Sequence, residues 1–218
     1  MSSNSSFIIE ISIKVMARIA KNFGLLASCG RVREKAKGGP TMRDVVQGNL
    51  IHLTEMRDGD AEWLQDTQWE TGLLRNLSAD ALHPFTAAEY SELAADPDND
   101  ERFFFMIRAN TDDGLLGWVM LDDVYLKNRR ATLSIAVPVA SDRGQGYGVD
   151  ALNTILSFAF NELGLHKVTL EVNANNTAAI RAYEAAGFQR EGINREAVFQ
   201  DGRWLDLYAY GILAAEWW

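Results

Sequence analysis

Cysteine is almost missing from this 218-residue chain: Cys29 is the single one, and histidine occurs three times, at His52, His83 and His166. A lone thiol makes no intramolecular disulfide and no thiolate zinc cluster. Three scattered imidazoles argue against a metal site, and none is expected. Long apolar runs are missing too, since no stretch reaches the roughly 18 to 20 residues needed to span a bilayer. Basic charge is in short supply, with 21 Lys plus Arg against 30 Asp plus Glu and a formal charge of −9. Proteins held to nucleic acid by phosphate neutralisation normally carry a basic face, so the acidic balance argues against that class of partner, and none is expected. What remains is ordinary for a globular chain: 47% hydrophobic and 23% charged residues, in a length that suits one domain. A cytoplasmic location is the expectation.

The charge is unevenly placed. Residues 1–41 hold seven basic groups against two acids, a net of +5, which leaves 14 basic against 28 acidic groups, or −14, in the rest. Gly38, Gly39 and Pro40 break the chain before Met42, so we read 1–41 as a basic N-terminal extension without function and 42–218 as the domain. Leu26-Ala27-Ser28-Cys29 has the look of a lipoprotein cleavage box. However, Glu10, Lys14, Arg18 and Lys21 interrupt any apolar core of a signal peptide. A basic, acid-poor segment also fits an organelle transit peptide or a membrane-surface helix.

Periodicity then predicts elements of both kinds. Leu50 to Leu53 reads as a short strand, Asp58 to Leu74 as a helix capped near Asp58, and Thr86 to Leu93 as a second helix ended by Asp96-Pro97. Three extended runs follow, Phe103 to Arg108, Leu115 to Leu121 and Ala131 to Val137, with Asp112-Asp113-Gly114 as a hairpin turn. The apolar stripe Val149, Leu152, Ile155, Leu156, Ala159, Phe160 and Leu163 marks a long helix. A strand at Lys167 to Val172, a helix from Asn176 and two closing strands complete the order βαα-βββ-α-β-α-ββ. That order is α+β rather than a doubly wound alternation.

The segment Arg143-Gly144-Gln145-Gly146-Tyr147-Gly148 lies between a strand and the long helix. Such a turn aims backbone N–H groups and a helix's positive end at one point, which suits an anion. A Walker loop would need Gly-Lys-Ser or Gly-Lys-Thr, which is absent, and a dinucleotide fingerprint would sit at the first strand of a βαβ unit. Diphosphate binding of another kind and a simple flexible cap both stay open on these residues alone.

Arg143, Gly146 and Gly148 fit a pattern of Arg or Gln, two residues, Gly, any residue, Gly or Ala. Downstream, Asn176 to Tyr183 (NTAAIRAY) is followed by Gly187-Phe188. Together, at this spacing, the two segments resemble the signatures of the GNAT N-acetyltransferase superfamily. Leu165-His166-Lys167-Val168, Asn128-Arg129-Arg130-Ala131 and Glu191-Gly192 to Arg195-Glu196 are similar to its ribosomal-protein and polyamine N-acetyltransferase branch. The resemblance spans Gly48 to Leu213. It implies the GNAT fold: a mixed, mostly antiparallel sheet with helices on both faces and a splayed central strand pair.

It further implies acetyl-CoA as co-substrate, with the diphosphate on Arg143, Gly144, Gln145, Gly146, Tyr147 and Gly148. Backbone groups near Ile135 and Val137 would hold the pantetheine arm until Pro138, which has no N–H. Asn176 would cap its helix, touch CoA, or do both. Tyr183, two turns beyond Asn176 on the same helix face, is by resemblance the acid that protonates the leaving thiolate. Glu171 projects with the polar set of its strand and is the candidate base, through a water; on the residues alone it is equally a surface side chain. Asp122 and Asp123 are the candidates to hold a cationic acceptor. The acceptor pocket by resemblance includes Trp63, Trp69, Tyr90, Trp204 and Tyr208, aromatics that suit a core as well.

Two functions follow. One is an N-acetyltransferase acting on a small cationic amine or a protein or peptide N-terminus, by direct attack in a ternary complex, toward which the −14 of the domain attracts substrate. The other is an idle acyl-CoA-binding module. A homodimer stays open.

Overall fold

The structure, a computed structural model, describes residues 46–70, 73–77, 83–95 and 102–217. The basic extension over residues 1–41 and the Asp96-Pro97 helix stop lie outside them. From Val46 to Trp218 the chain forms one compact unit. It opens on strand β1 (Ile51–Thr54), followed by helices α1 (Asp60–Thr67), α2 (Leu73–Leu77) and α3 (Ala87–Ala95). Strands β2 (Phe103–Ala109), β3 (Leu115–Tyr125) and β4 (Arg130–Ala136) make an antiparallel meander. Then come helix α4 (Tyr147–Ser157), β5 (Lys167–Asn173), α5 (Thr177–Ala185), β6 (Gln189–Gln200) and β7 (Arg203–Leu213). The strands form a seven-stranded sheet in the order β1-β2-β3-β4-β5-β7-β6. All its pairings are antiparallel except β4 with β5.

That parallel pairing is short. It joins Arg130–Thr132 to Lys167–Thr169 and stops there. Beyond it β4 stays bonded to β3 as far as Ala136, and β5 to β7 as far as Asn173. The two central strands therefore splay from Leu133 and Leu170 onward. Gly117 fixes one side of the opening: a Cβ there would lie 2.0 Å from the Ala136 carbonyl oxygen, so only glycine lets β3 approach the end of β4.

Helices cover both faces. Ala61, Leu64 and Tyr90 of α1 and α3 pack with Met106, Trp118, Met120 and Ala136 of the sheet. On the other face α4 buries Leu152, Ile155 and Leu156. Its stripe continues through a π-helical turn, Phe158–Glu162. There Phe158, fully buried, stands edge-on to Phe103 and Phe105 with ring centroids 5.4 and 5.3 Å away. Each such apolar side chain is worth about 1.5–3 kcal/mol of burial. A Thr86–Glu89 capping box starts α3: Glu89 accepts from the Thr86 N–H at 2.8 Å, and Thr86 Oγ1 accepts from the Glu89 N–H at 3.3 Å.

The first helical segment differs from the sequence expectation. The single helix capped near Asp58 is two helices, and α1 begins at Asp60 with Gly59 at the N-cap in the left-handed region, φ 90°. The reason is tertiary. Asp60 is buried and accepts two hydrogen bonds from Arg108 Nη2 of β2, at 2.7 and 2.8 Å, and one from the Arg57 N–H at 2.9 Å. Removing one member of a buried ion pair strands the other, at a cost of about 3–5 kcal/mol. Asp60→Ala is therefore expected to lower unfolding free energy by about that much in urea titrations. Adding Arg108→Met should restore much of the loss; a loss under 1 kcal/mol would show the pair to be dispensable.

A second long-range carboxylate holds the sheet edge to α4. Asp150 accepts the N–H groups of Asn49, Leu50 and Ile51 at 3.1, 2.7 and 3.0 Å. It thereby seats the start of β1 on the first turn of α4.

Candidate active site

The splay opens a cavity of about 490 Å³ between β4, β5, the start of α4 and one face of α5. Ile135 of β4 and Val137 just past its end line it on one side, and Glu171 and Val172 of β5 on the other. Gly144, Gly146, Gly148 and Val149 supply the turn and helix start, and Asn176, Ala179 and Tyr183 come from α5. Leu73 and Asn76 of α2 add a further wall.

The glycine turn is built to present backbone N–H groups. Gly144 and Gly146 hold φ 75° and 91°, conformations that L side chains rarely adopt, and Gly146 is the N-cap of α4. The first intrahelical bond there is the Asp150 N–H to the Gly146 carbonyl, 3.0 Å. Among the described residues, none of the N–H groups from Gly144 to Val149 meets a hydrogen-bond acceptor. Six consecutive unmet donors at the positive end of a helix make a cradle for an anion. A Cβ on Gly148 would meet nothing within 4 Å, so the cradle is open where a bulky group must approach.

Arg143 behaves differently from a simple phosphate ligand. Its guanidinium turns back to donate from Nε to the Val137 carbonyl at 3.0 Å and from Nη2 to the Pro138 carbonyl at 2.7 Å. It ties the end of β4 to the turn while still lining the cavity. The side chains of Gln145 and Tyr147 do not line it; Gln145 Nε2 instead donates to the Ser141 carbonyl at 2.7 Å.

Asn176 caps α5, its Oδ1 accepting the Ala179 N–H at 3.3 Å. Tyr183, two turns on, is 8% exposed, and burial pushes its phenol up to about 12. Its hydroxyl makes no hydrogen bond among the described residues, yet it is not among their sealed, unpartnered polar atoms. It therefore opens into the cavity with its proton uncommitted. Phe188 packs edge-on to the ring at 6.0 Å and fixes its plane. Glu171 stands opposite Ala209 in the β5–β7 ladder, exposed and facing the cavity. The arrangement offers an anion cradle, a buried neutral acid and a carboxylate around one void.

Other expected site residues lie apart. Asp122 is held by Arg102, Nε and Nη2 at 3.1 and 3.2 Å from its two oxygens, and neither it nor Asp123 lines the cavity. None of the five aromatics does so either. Tyr90 is core, Trp63 packs against that core, Trp69 and Trp204 are exposed, and Tyr208 lies under Arg190. The sequence reading missed α2 as a wall of the cavity. Its sole signal was Leu73-Leu74, absorbed there into the preceding helix. Among the described residues no cluster of three metal-ligating side chains occurs, and no helix is long and apolar enough to cross a membrane.

Known proteins resemble this chain in sequence and fold. A family model described as Acetyltransferase (GNAT) domain matches residues 51–189. Spermidine N(1)-acetyltransferase of Vibrio cholerae is 32% identical over 180 residues, 81% of this chain and 94% of that protein. Probable N-acetyltransferase YjcK of Bacillus subtilis is 33% identical over 119 residues, 53% of this chain and 64% of that one. The crystal structure of spermidine N-acetyltransferase from Vibrio cholerae in complex with CoA and spermine shares the fold. Its TM-score is 0.68 at 24% identity, over 77% of this chain and 97% of that chain. A family model that matches well over half of the chain, and a relative 32% identical along 94% of its own length, lead to one conclusion: the chain belongs to the GNAT acetyltransferase family.

Proposed function

We propose that this chain acetylates a small cationic polyamine of the spermidine class. In this reading the acetyl group of acetyl-CoA passes directly to a primary amine held in the same cavity. One observation carries it: Gly144, Gly146, Gly148 and Val149, with their unmet N–H groups, line the same void as Tyr183, whose hydroxyl is uncommitted. The cradle suits the CoA diphosphate, and the exposed edge of β4 beyond Thr132 suits the pantetheine arm. The acceptor class rests on the match along nearly the whole length of a spermidine acetyltransferase and on the net −14 of residues 42–218, which attracts cations.

Within that site Tyr183 gives its proton to the departing thiolate, and Glu171 takes the proton from the attacking amine through a water. Asn176 fixes the start of the helix that carries Tyr183. Asp122, already paired with Arg102, serves the fold in this reading, and Asp123 stays on the surface beside it.

The test is release of CoA thiol by the full chain with acetyl-CoA and a panel of spermidine, spermine, diamines, lysine and peptides with free N-termini. Spermidine is expected to react with the highest kcat/KM. A peptide that outruns it by tenfold or more would transfer the assignment to a protein N-terminus. Acetyl-CoA binding with no thiol release across the panel would leave only an idle binding module.

A further inference from the structure

Helix α2 spans five residues, too few to hold itself in water, yet Leu73 and Asn76 on it form a wall of the active-site cavity. Leu73 packs against the α1–α3 core cluster and fixes one end. Arg75 fixes the other, and it does so twice. Its main-chain carbonyl accepts from Nδ2 of Asn173 at 3.2 Å. Its guanidinium forms an ion pair with Asp201, in the turn between β6 and β7.

Both partners are placed for this. Asn173 ends β5 and is 4% exposed, so its amide needs a partner inside the protein. Its carbonyl accepts the N–H of Asn176 at 2.9 Å, at the start of the helix that carries Tyr183. One buried residue thus links α2, the end of β5 and the helix of the catalytic acid. Asp201 holds φ 52° at the tip of the β6–β7 hairpin, flanked by the Gln200–Arg203 pair. Neither residue contacts the glycine turn or the start of α4 among the bonds described above.

We infer that Asn173 and Asp201 are positioning residues that clamp α2, through Arg75, as the acceptor-side wall of the cavity. The inference rests on reading this cavity as the transferase site. The CoA cradle belongs to α4, so the clamp governs the fit of the amine and leaves CoA binding alone.

The experiment uses the full chain with Asp201→Ala, Arg75→Ala and the pair combined, followed by Asn173→Ser added to Asp201→Ala. Amide hydrogen exchange over residues 73–77 is measured beside steady-state kinetics with spermidine as the acceptor probe. An exposed ion pair is weak, so Asp201→Ala is expected to speed α2 exchange and raise the spermidine KM about two- to fivefold. Loss of the Asn173 bond as well should bring the rise to about tenfold. The acetyl-CoA KM and the exchange of α4 should stay within a factor of two of wild type. Arg75→Ala combined with Asp201→Ala should be no worse than either alone. Unchanged α2 exchange, a freed α2 with unchanged spermidine KM, or an equal rise in the acetyl-CoA KM would each overturn the clamp. A wild-type protein that acetylates no amine defeats the transferase reading instead, and the exchange measurements still decide whether the clamp exists.

Discussion

Tyr183→Phe is expected to lower kcat by about 100- to 10,000-fold, the usual range for loss of a general acid, with acetyl-CoA affinity within a factor of two of wild type. The asymmetry follows from what the hydroxyl does. Among the described residues it makes no hydrogen bond, so removing it leaves no partner stranded and the buried ring still packs on Phe188. In the proposed role, what goes is the proton given to the departing sulfur. Burial penalises the phenolate and raises the group to about 12, against an ordinary value of 10. The phenol is therefore the stable form in the folded protein. The stabilisation it brings is fully present below pH 10 and is lost only as pH rises through about 12. Across the working range the acid stays loaded. Wild-type kcat should then rise with pH as the acceptor amine loses its proton, with no falling limb below about pH 11. Equal losses in kcat and acetyl-CoA affinity in Tyr183→Phe would make the tyrosine a packing residue.

Gly146→Glu should abolish acetyl-CoA binding, measured by calorimetry or by retention on a CoA column. Two effects add. At φ 91° any side chain is strained, and a Cβ there would press Leu50 Cδ1 at 3.2 Å. A carboxylate in the cradle then opposes the diphosphate. A unit charge about 4 Å away at an effective dielectric constant near 20 contributes about 4 kcal/mol, roughly a thousandfold in affinity. Gly146→Ala separates the two, because it keeps the strain without the charge. It should melt lower than wild type yet retain most of the binding. Wild-type affinity in a folded Gly146→Glu protein would place the diphosphate elsewhere.

Much of this site was legible along the chain because its parts are local. Three glycines, a following apolar stripe at helical spacing, and Asn176 seven residues before Tyr183 each describe a few consecutive turns of backbone. The order of strands and helices was legible for the same reason: alternation and helical periodicity report which face each residue buries. The first helical segment was not. Nothing near Asp58 announces that Asp60 will be drawn to Arg108, 48 residues away, or that Gly59 will open the helix in its place. Asp122 shows the same limit. Beside Asp123 it looked like a lure for a cation, but the cation it holds is Arg102 of its own chain. Arg143, too, carries the charge that the motif asks for and turns it toward the carbonyls of Val137 and Pro138, just past the end of β4.

By itself the sequence determined the family, the glycine turn, the helix bearing Asn176 and Tyr183, and an acidic domain short of thiols and imidazoles. These are matters of residue type and near spacing, which survive in one dimension. Only the tertiary structure decided that β4 and β5 part after three paired residues, that Asp150 seats β1 on the start of α4, and that a five-residue helix walls the cavity through Asn173 and Asp201. Each of those depends on groups distant in sequence meeting at hydrogen-bond distance. Which partner a buried polar group finds is settled by the packing around it, and that packing is a property of the whole fold.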